Sequence, residues 1–414
     1  QAVSNANQGV SLLQTAQGAL QQQIGVVQQL NSIAVQAANG TQSSAGSQSL
    51  QSVVTQLTAQ VTTIASQTQF NNINLLDGSF SGVQFQVGAN EGQTQSLSIG
   101  NTSANAIGLN QSSASATIYG AGNSTGVLTT GTTGAFTAGT VKYTGNNGNT
   151  GSVAVTANES AQSIATAVNN LASKTGVTAQ ATNTLTLTAT AGTNGGFAFK
   201  IQGSGSAQTV NAASVSALAS QINGQTGTTG ISATVNKAGT AVTLTQANGK
   251  NISFTNFSSG SLTAAGQGTS VTVGGANASG TIQGQVAFQS SAAFSLTNGS
   301  DIGLKTSSNL TSLSDINVTT TSGANTAINV VKFALQGLNN QGGVLGAAQQ
   351  RLTASINNLN TSSQNVTSAL GVVQDANIPQ VSNQLTQAQI QAQAGVAALK
   401  SSTTLQQSYL SLLP

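Results

Sequence analysis

"LLQTAQGALQQQIGVVQQLNSIAVQAANGT", residues 12–41, is the stretch whose reading decides the fold. Leu13, Leu20, Val27 and Ala34 recur every seven residues, with Ile24 and Ala38 at the +4 offset. That spacing makes an apolar seam suited to bundle or coiled-coil packing. The run "ANGTQSSAGSQ" then breaks the pattern, with Gly40 near the helix end, where a left-handed residue costs little. A second helix follows, marked by Leu50, Val53, Leu57, Val61 and Ile64 at spacings of three and four. Neither helix carries a charge, and the first charged residue of the chain is Asp77. Solvated helix faces usually bear Lys and Glu, so a face of Gln, Asn, Ser and Ala asks what it touches.

That neutrality holds throughout. Only 4% of the 414 residues are charged, against about a quarter in ordinary domains. Length suggests several domains and ample chain for a core. His and Cys are absent, which removes disulfides, thiol nucleophiles, imidazole acid–base catalysis and Cys/His metal sites. Nine basic and six acidic residues leave a net charge of +3. The basic ones stand singly, without the clustered surface that nucleic acid requires. No apolar stretch approaches the roughly 20 residues that span a bilayer, and no signal peptide opens the chain. No nucleic-acid or membrane partner is expected.

Past the helices the period shifts. Asp77-Gly78 marks a turn, Val83, Phe85 and Val87 alternate with glutamines, and Leu97 and Ile99 repeat the pattern, which predicts a hairpin. Residues 101–324 are rich in Gly, Ser, Thr and Asn, but an internal repeat argues for folded modules. Ile164, Ala165, Val168 and Asn169 align with Leu218, Ala219, Ile222 and Asn223. Gly176-Val177 aligns with Gly230-Ile231, Leu185 and Leu187 with Val242 and Leu244, and Phe199 and Phe254 sit at comparable distances beyond. Each unit reads as a short helix followed by two strands, over about residues 139–203 and 209–257.

Helical period returns near residue 325. Leu345, Leu352, Leu359, Val366 and Val373 are spaced by seven, with Ile356 and Leu370 at +4. Pro379 is expected to interrupt the helix, and a last helix carries Ile378, Leu385, Ala392, Leu399 and Leu413 in register. The expected fold is α+β and multidomain: a discontinuous antiparallel helical bundle or coiled-coil core from both chain ends, with a β-rich inserted outer region. Residues 1–100 and 325–376 supply the two halves of that core, 101–324 the outer region, and 377–414 an axial helix.

Several motifs in this layout resemble bacterial flagellin. "QAVSNANQGVSLLQTAQGAL" resembles the family's first long helix, "LNSIAVQAANGT" its end, and "SQTQFNNINLLDG" with "FQVGANEGQT" its hairpin region. "LGAAQQRLTASINNL" and "LTQAQIQAQAGVAALKSS", closed by "LSLLP", resemble its C-terminal helices. The resemblance covers the two ends of the chain. It implies a structural subunit of an extracellular filament for motility, polymerising with itself. An export chaperone and cap and junction proteins are implied as partners. Leu13, Leu20, Val27, Leu57, Ile64, Leu345, Leu352, Ile356, Leu359, Val366 and Leu370 would then pack the helical core, with Leu385, Leu399 and Leu413 on the axial helix.

The chain departs from the family pattern in three ways. The family's N-terminal segment, which pairs with the axial helix, has no counterpart at the start of this sequence. The run Gln28, Gln29, Leu30, Asn31, Ser32, Ile33, Ala34, Val35, Gln36 matches a stretch that carries Arg and Glu in members recognised by the vertebrate innate receptor. Neutral residues fill every charged position, which counts against that recognition. Low charge throughout is the third departure.

No catalytic residues, metal ligands or cofactor are expected. Asp77, Glu91, Glu159, Asp301, Asp315 and Asp375 are scattered over different modules, where turns and surface explain them better than a glycosidase pair. Rival functions are a surface protein whose insert binds acidic polysaccharide or host glycans, and the flagellin-like hook–filament junction protein. Lysines of the middle region with Tyr119 and Tyr143 would supply the glycan patch, although an apolar strand setting favours core for the aromatics.

Overall fold

A computed structural model of the protein describes residues 1–88, 90–113, 117–119, 136–192, 195–266, 269–275 and 278–411. Helix α1 spans Ala2–Ala38 and α2 spans Ser44–Gln67, where the Ser43 hydroxyl caps the helix by accepting from the Gly46 amide. The chain divides into two compact units, residues 1–16, 80–98 and 343–414 in the first and residues 17–79 and 99–342 in the second.

In the second unit the seam of α1 is buried at Leu20, Val27, Leu30 and Ala34, and that of α2 at Val54, Val61 and Ala65. Gln23 is fully buried on α1, and its side-chain amide donates to the carbonyls of Val61 and Thr102 at 3.0 and 3.3 Å. The turn after α2 follows the predicted chemistry. Gly78 holds φ at +89°, and the Asp77 carboxylate accepts from the Ser79 amide at 2.9 Å. Gln51 of α2 grips the strap before the last helix, donating to the Ile316 carbonyl and accepting from the Val318 amide. That last helix, α7 (Thr321–Leu410), buries Ala324, Ala327, Val331, Ala334 and Leu338 in this unit.

In the first unit, α1 approaches α7 at Leu352. Gly9 permits the approach: a Cβ there would lie 2.9 Å from Leu352 Cδ1 and 3.4 Å from the Phe85 ring. Phe85 belongs to the hairpin Val83–Gln86 with Thr94–Leu97, paired Val83 to Leu97. The terminal helices thus pack together, and the middle of the chain is β-rich.

The outer region repeats one arrangement twice. In the first copy a hairpin, Gly139–Thr144 and Thr150–Val155, leads to α3 (Ala161–Asn169), α4 (Ala172–Thr175) and the strand Thr178–Thr190. In the second, Phe197–Gln202 and Gln208–Ala212 lead to α5 (Val215–Gly224), α6 (Thr226–Thr229) and the strand Ile231–Val235. The equivalent details are physical. Ser160 and Ser214 cap α3 and α5. Asn169 exchanges two hydrogen bonds with the backbone of Ala179, and Asn223 does the same with Ala233. Gly176 and Gly230 end α4 and α6 at φ +71° and +70°. A Cβ at Gly145 would collide with the Thr175 carbonyl, and one at Gly203 with that of Thr229.

Each copy has its own core. Val141, Tyr143, Val153, Ile164, Val168 and Phe288 fill one; Phe199, Val210, Leu218, Ile222, Leu244 and Phe254 fill the other. The repeating unit therefore contains the hairpin ahead of its helix, beyond the helix and two strands that the sequence suggested. Leu185 and Leu187, which align in sequence with Val242 and Leu244, turn out to be their cross-strand neighbours: Leu185 pairs with Leu244 and Leu187 with Val242. Phe199 and Phe254 likewise share one core, with ring centroids 5.8 Å apart. The 13-residue strand Thr178–Thr190 joins the copies, pairing with Gln285–Ser290 over its first part and Ala241–Gln246 over its second.

One expectation is corrected. Pro379 does not end the helix, for α7 runs unbroken through it. Proline deletes a single amide donor, so one ladder bond is lost while the turns on either side keep theirs. The expected boundary at residues 376–377 falls inside α7.

Candidate assembly surface

The predicted packing residues separate along the chain. Leu13, Leu20, Val27, Leu345 and Leu352 are buried, and Leu57, Ile64, Ile356 and Leu359 are half-buried. Val366 and Leu370, expected in the chain's own helical core, face solvent at 68% and 55% exposure, as do Leu385 and Leu399 on the axial segment. Leu413 lies outside the described residues. Among the described residues the seam of α7 is buried through Leu352 and exposed from Val366 onward.

Beyond that point, among the described residues, eight of thirteen exposed large apolar residues share one side of α7, while Val372, Val373, Ile390, Leu405 and Tyr409 lie outside it. At about 100° per residue, Val366, Leu370, Ile378, Val381, Leu385, Val396, Leu399 and Leu410 fall within one sector about 120° wide. All eight are exposed. Between residues 360 and 410 the sequence has two charged residues, Asp375 and Lys400, and Lys400 falls outside the sector. Val381, Val396 and Leu410 escaped the sequence reading because a strict seven-residue count skips them; the wider stripe would have found them. Covering each such side chain stabilises by about 1.5–3 kcal/mol.

Of the receptor-type stretch, Leu30 is buried, Gln29 and Ser32 are exposed, and Asn31 and Ile33 are half-buried. Leu30 is therefore a core residue. The carboxylates have local duties. Hydrogen bonds from the Ser79 side chain and backbone, with Asn74, hold the Asp77 carboxyl below its ordinary 3.8. Glu159 accepts from the Thr156 amide at 2.8 Å, and Asp315 closes a capping box with Ser312. Among the described residues no three potential ligands converge on a metal position. Tyr143 is a core residue, edge-on to Phe288 at 5.4 Å, and its burial pushes the phenol pKa up; the Tyr119 side chain lies outside the described residues. Among the described residues, no helix is long and apolar enough to cross a membrane.

Comparison with known proteins matches the two ends that carry this geometry. The model of the bacterial flagellin N-terminal helical region matches residues 1–81, and that of the C-terminal helical region matches residues 328–413. The two ends of the chain are thus similar to the terminal helical regions of bacterial flagellin. B-type flagellin of Pseudomonas aeruginosa is 47% identical over 107 residues, 26% of this chain and 22% of that protein. A flagellin of Xenorhabdus nematophila is 36% identical over 111 residues, 27% of this chain and 36% of that one. The alignments thus span 22% and 36% of these two relatives' lengths. Among solved structures, FliC from Burkholderia pseudomallei is 22% identical with a TM-score of 0.34, covering 83% of this chain and 99% of that one. The outer repeats fall between the two matched regions, and the exposed stripe falls within the second.

Proposed function

We propose that this chain is the structural subunit of an extracellular flagellar filament, and that the stripe on α7 from Val366 to Leu410 is a surface buried on polymerisation. The observation behind this reading is the stripe itself: eight large apolar side chains in one sector, exposed in a chain whose other cores are closed. Repeated head-to-tail contacts between such subunits generate an open helical polymer. Neutral flanks suit close packing, because an unpaired ion buried in a contact costs several kcal/mol. Before assembly the same stripe needs shielding, which gives the export chaperone implied by the family its place.

The test is polymerisation of the natively produced protein in sulfate, which strengthens apolar burial, followed by pelleting and electron microscopy. Helical filaments are expected, and Leu385→Asp should cut the pelleted fraction at least tenfold while leaving far-ultraviolet dichroism unchanged. Protein that stays dispersed at every concentration overturns the reading.

A further inference from the structure

The outer region carries a second uncharged surface, made of threonine. In the strand Thr178–Thr190 the run "TLTLTAT" sends Leu185 and Leu187 towards the core and Thr184, Thr186 and Thr188 to the other face. Register extends these residues into rows across neighbouring strands. Thr184 pairs with Thr245, which pairs with Ser232. Thr186 pairs with Thr243, which pairs with Thr234. Thr188 pairs with Thr263, which pairs with Thr272. All nine are exposed or half-buried. Thr186 and Thr243 hydroxyls lie 2.7 Å apart, and those of Thr263 and Thr272 2.8 Å. None of the strands Thr178–Thr190, Ile231–Val235, Ala241–Gln246, Ser261–Gly266 and Thr269–Gly274 contains a charged residue.

We infer that this threonine face joins identical faces of two copies of the chain, and that the two copies belong to different polymers lying side by side. The inference rests on the filament reading above. Each hydroxyl both donates and accepts, so the array is complementary to a copy of itself. Because the face is neutral, two copies of a chain of net charge +3 meet without like charges opposed. β-branched side chains hold few rotamers, so ordering the face costs little entropy.

Symmetry and area decide where the contact operates. A face meeting its own copy requires a two-fold axis. Neighbours in a polar helical polymer are related by a screw, so the two-fold partner sits in another polymer. With strands about 4.8 Å apart and alternate residues about 6.7 Å apart, the nine residues cover about 300 Å². Two copies then bury about 600 Å², short of the roughly 1,200 Å² at which stable pairs begin. One pair is weak, and ranks of copies along two polymers add through effective concentration.

The experiment compares polymers of the unaltered chain with those of a Thr186→Lys, Thr243→Lys variant, reading pelleted yield separately from side-by-side bundling by light scattering and electron microscopy. Unchanged yield with bundling reduced at least tenfold is expected. Equal bundling in the variant overturns the inference and leaves the filament reading standing. The chain lacks Cys, so Thr186→Cys with a copper–phenanthroline oxidant supplies a second measurement, with Asn146→Cys on an exposed turn as the control. Disulfide dimers should form faster from Thr186→Cys, in polymers and in concentrated dispersed protein alike. If no polymer forms, the filament reading fails, and the dispersed arm still decides the contact: dimers no faster than the control overturn it. Retention on cellulose that the lysines abolish, with bundling intact, assigns the face to an uncharged polysaccharide and also overturns it.

Discussion

The second outer repeat and the distal part of α7 are built from the same apolar residues and reach opposite ends. In the repeat, Phe199, Phe254 and Phe257 enclose one another, with Phe199 and Phe257 stacked at 4.7 Å. On α7, Leu385 and Leu399 have the same hydrophobicity and stay in water. A β-sheet and a helix connected by short loops bring their faces together within the chain. On α7 from Val366 onward, no segment among the described residues covers the large apolar side chains. Burial thus depends on whether the chain's connectivity can supply a cover.

The comparison is broken most directly by truncating one residue from each region. Phe254→Ala should destabilise the outer repeat by about 3–5 kcal/mol through cavity formation, whereas Leu385→Ala should change the dispersed chain's stability by less than about 0.5 kcal/mol. Urea unfolding followed by hydrogen exchange on each region measures both. A Leu385→Ala loss as large as the phenylalanine's would mean that the distal stripe is already covered within the chain.

Pro379→Ala sharpens the contrast from the other side. A proline inside a helix costs about 3 kcal/mol relative to alanine, so the substitution should slow amide exchange in the turn after residue 379 by a hundredfold or more. The outer repeats should be unaffected.

Next come the paired asparagine clasps. Asn169→Ala and Asn223→Ala each remove two hydrogen bonds to partly buried backbone, to Ala179 and Ala233 respectively. Each should cost about 1–3 kcal/mol. Equal losses would confirm that the repeats are physical equivalents; a loss confined to one would break the equivalence, and thermal melting of the two variants distinguishes these outcomes.

The smallest effects are those of pH. Burial raises the Tyr143 pKa above its ordinary 10.0, so the folded state keeps a proton that the unfolded chain releases. Stability is complete below 10.0 and falls as pH rises above it, and Tyr143→Phe should flatten that alkaline limb. Asp77 runs the other way. Its lowered pKa gives a contribution that is present above 3.8 and lost as pH falls through the folded value, and Asp77→Asn should remove it. With six acidic residues and no His in the chain, the melting temperature between these limits should change little with pH, and polymer yield at fixed sulfate should change little with added sodium chloride, which acts by screening charge.

Much of this was legible without coordinates. Seven-residue spacing at Leu13, Leu20, Val27, Leu345 and Leu352 located both core helices, because a buried helix face must repeat with the turn. Alignment of Asn169 with Asn223 located the repeat, because the same clasp needs the same residue at the same step from its strand. Val366 on the seven-residue series and Leu370 at its +4 offset looked the same as Leu352 and Ile356, yet Val366 and Leu370 are exposed, since periodicity reports a face and not its cover.

By itself, the sequence determined a nearly charge-free chain, with helical seams at its ends, two related modules between them and no imidazole or thiol chemistry. Local patterning suffices for each, because composition, period and turn residues act within a few residues of one another. Only the tertiary structure decided that Leu185 and Leu187 pair with Leu244 and Val242, that Pro379 leaves α7 continuous, that the threonines align into rows and that the seam of α7 is covered through Leu352 and open beyond. Each of these depends on the register or reach of a distant segment, which no local pattern encodes.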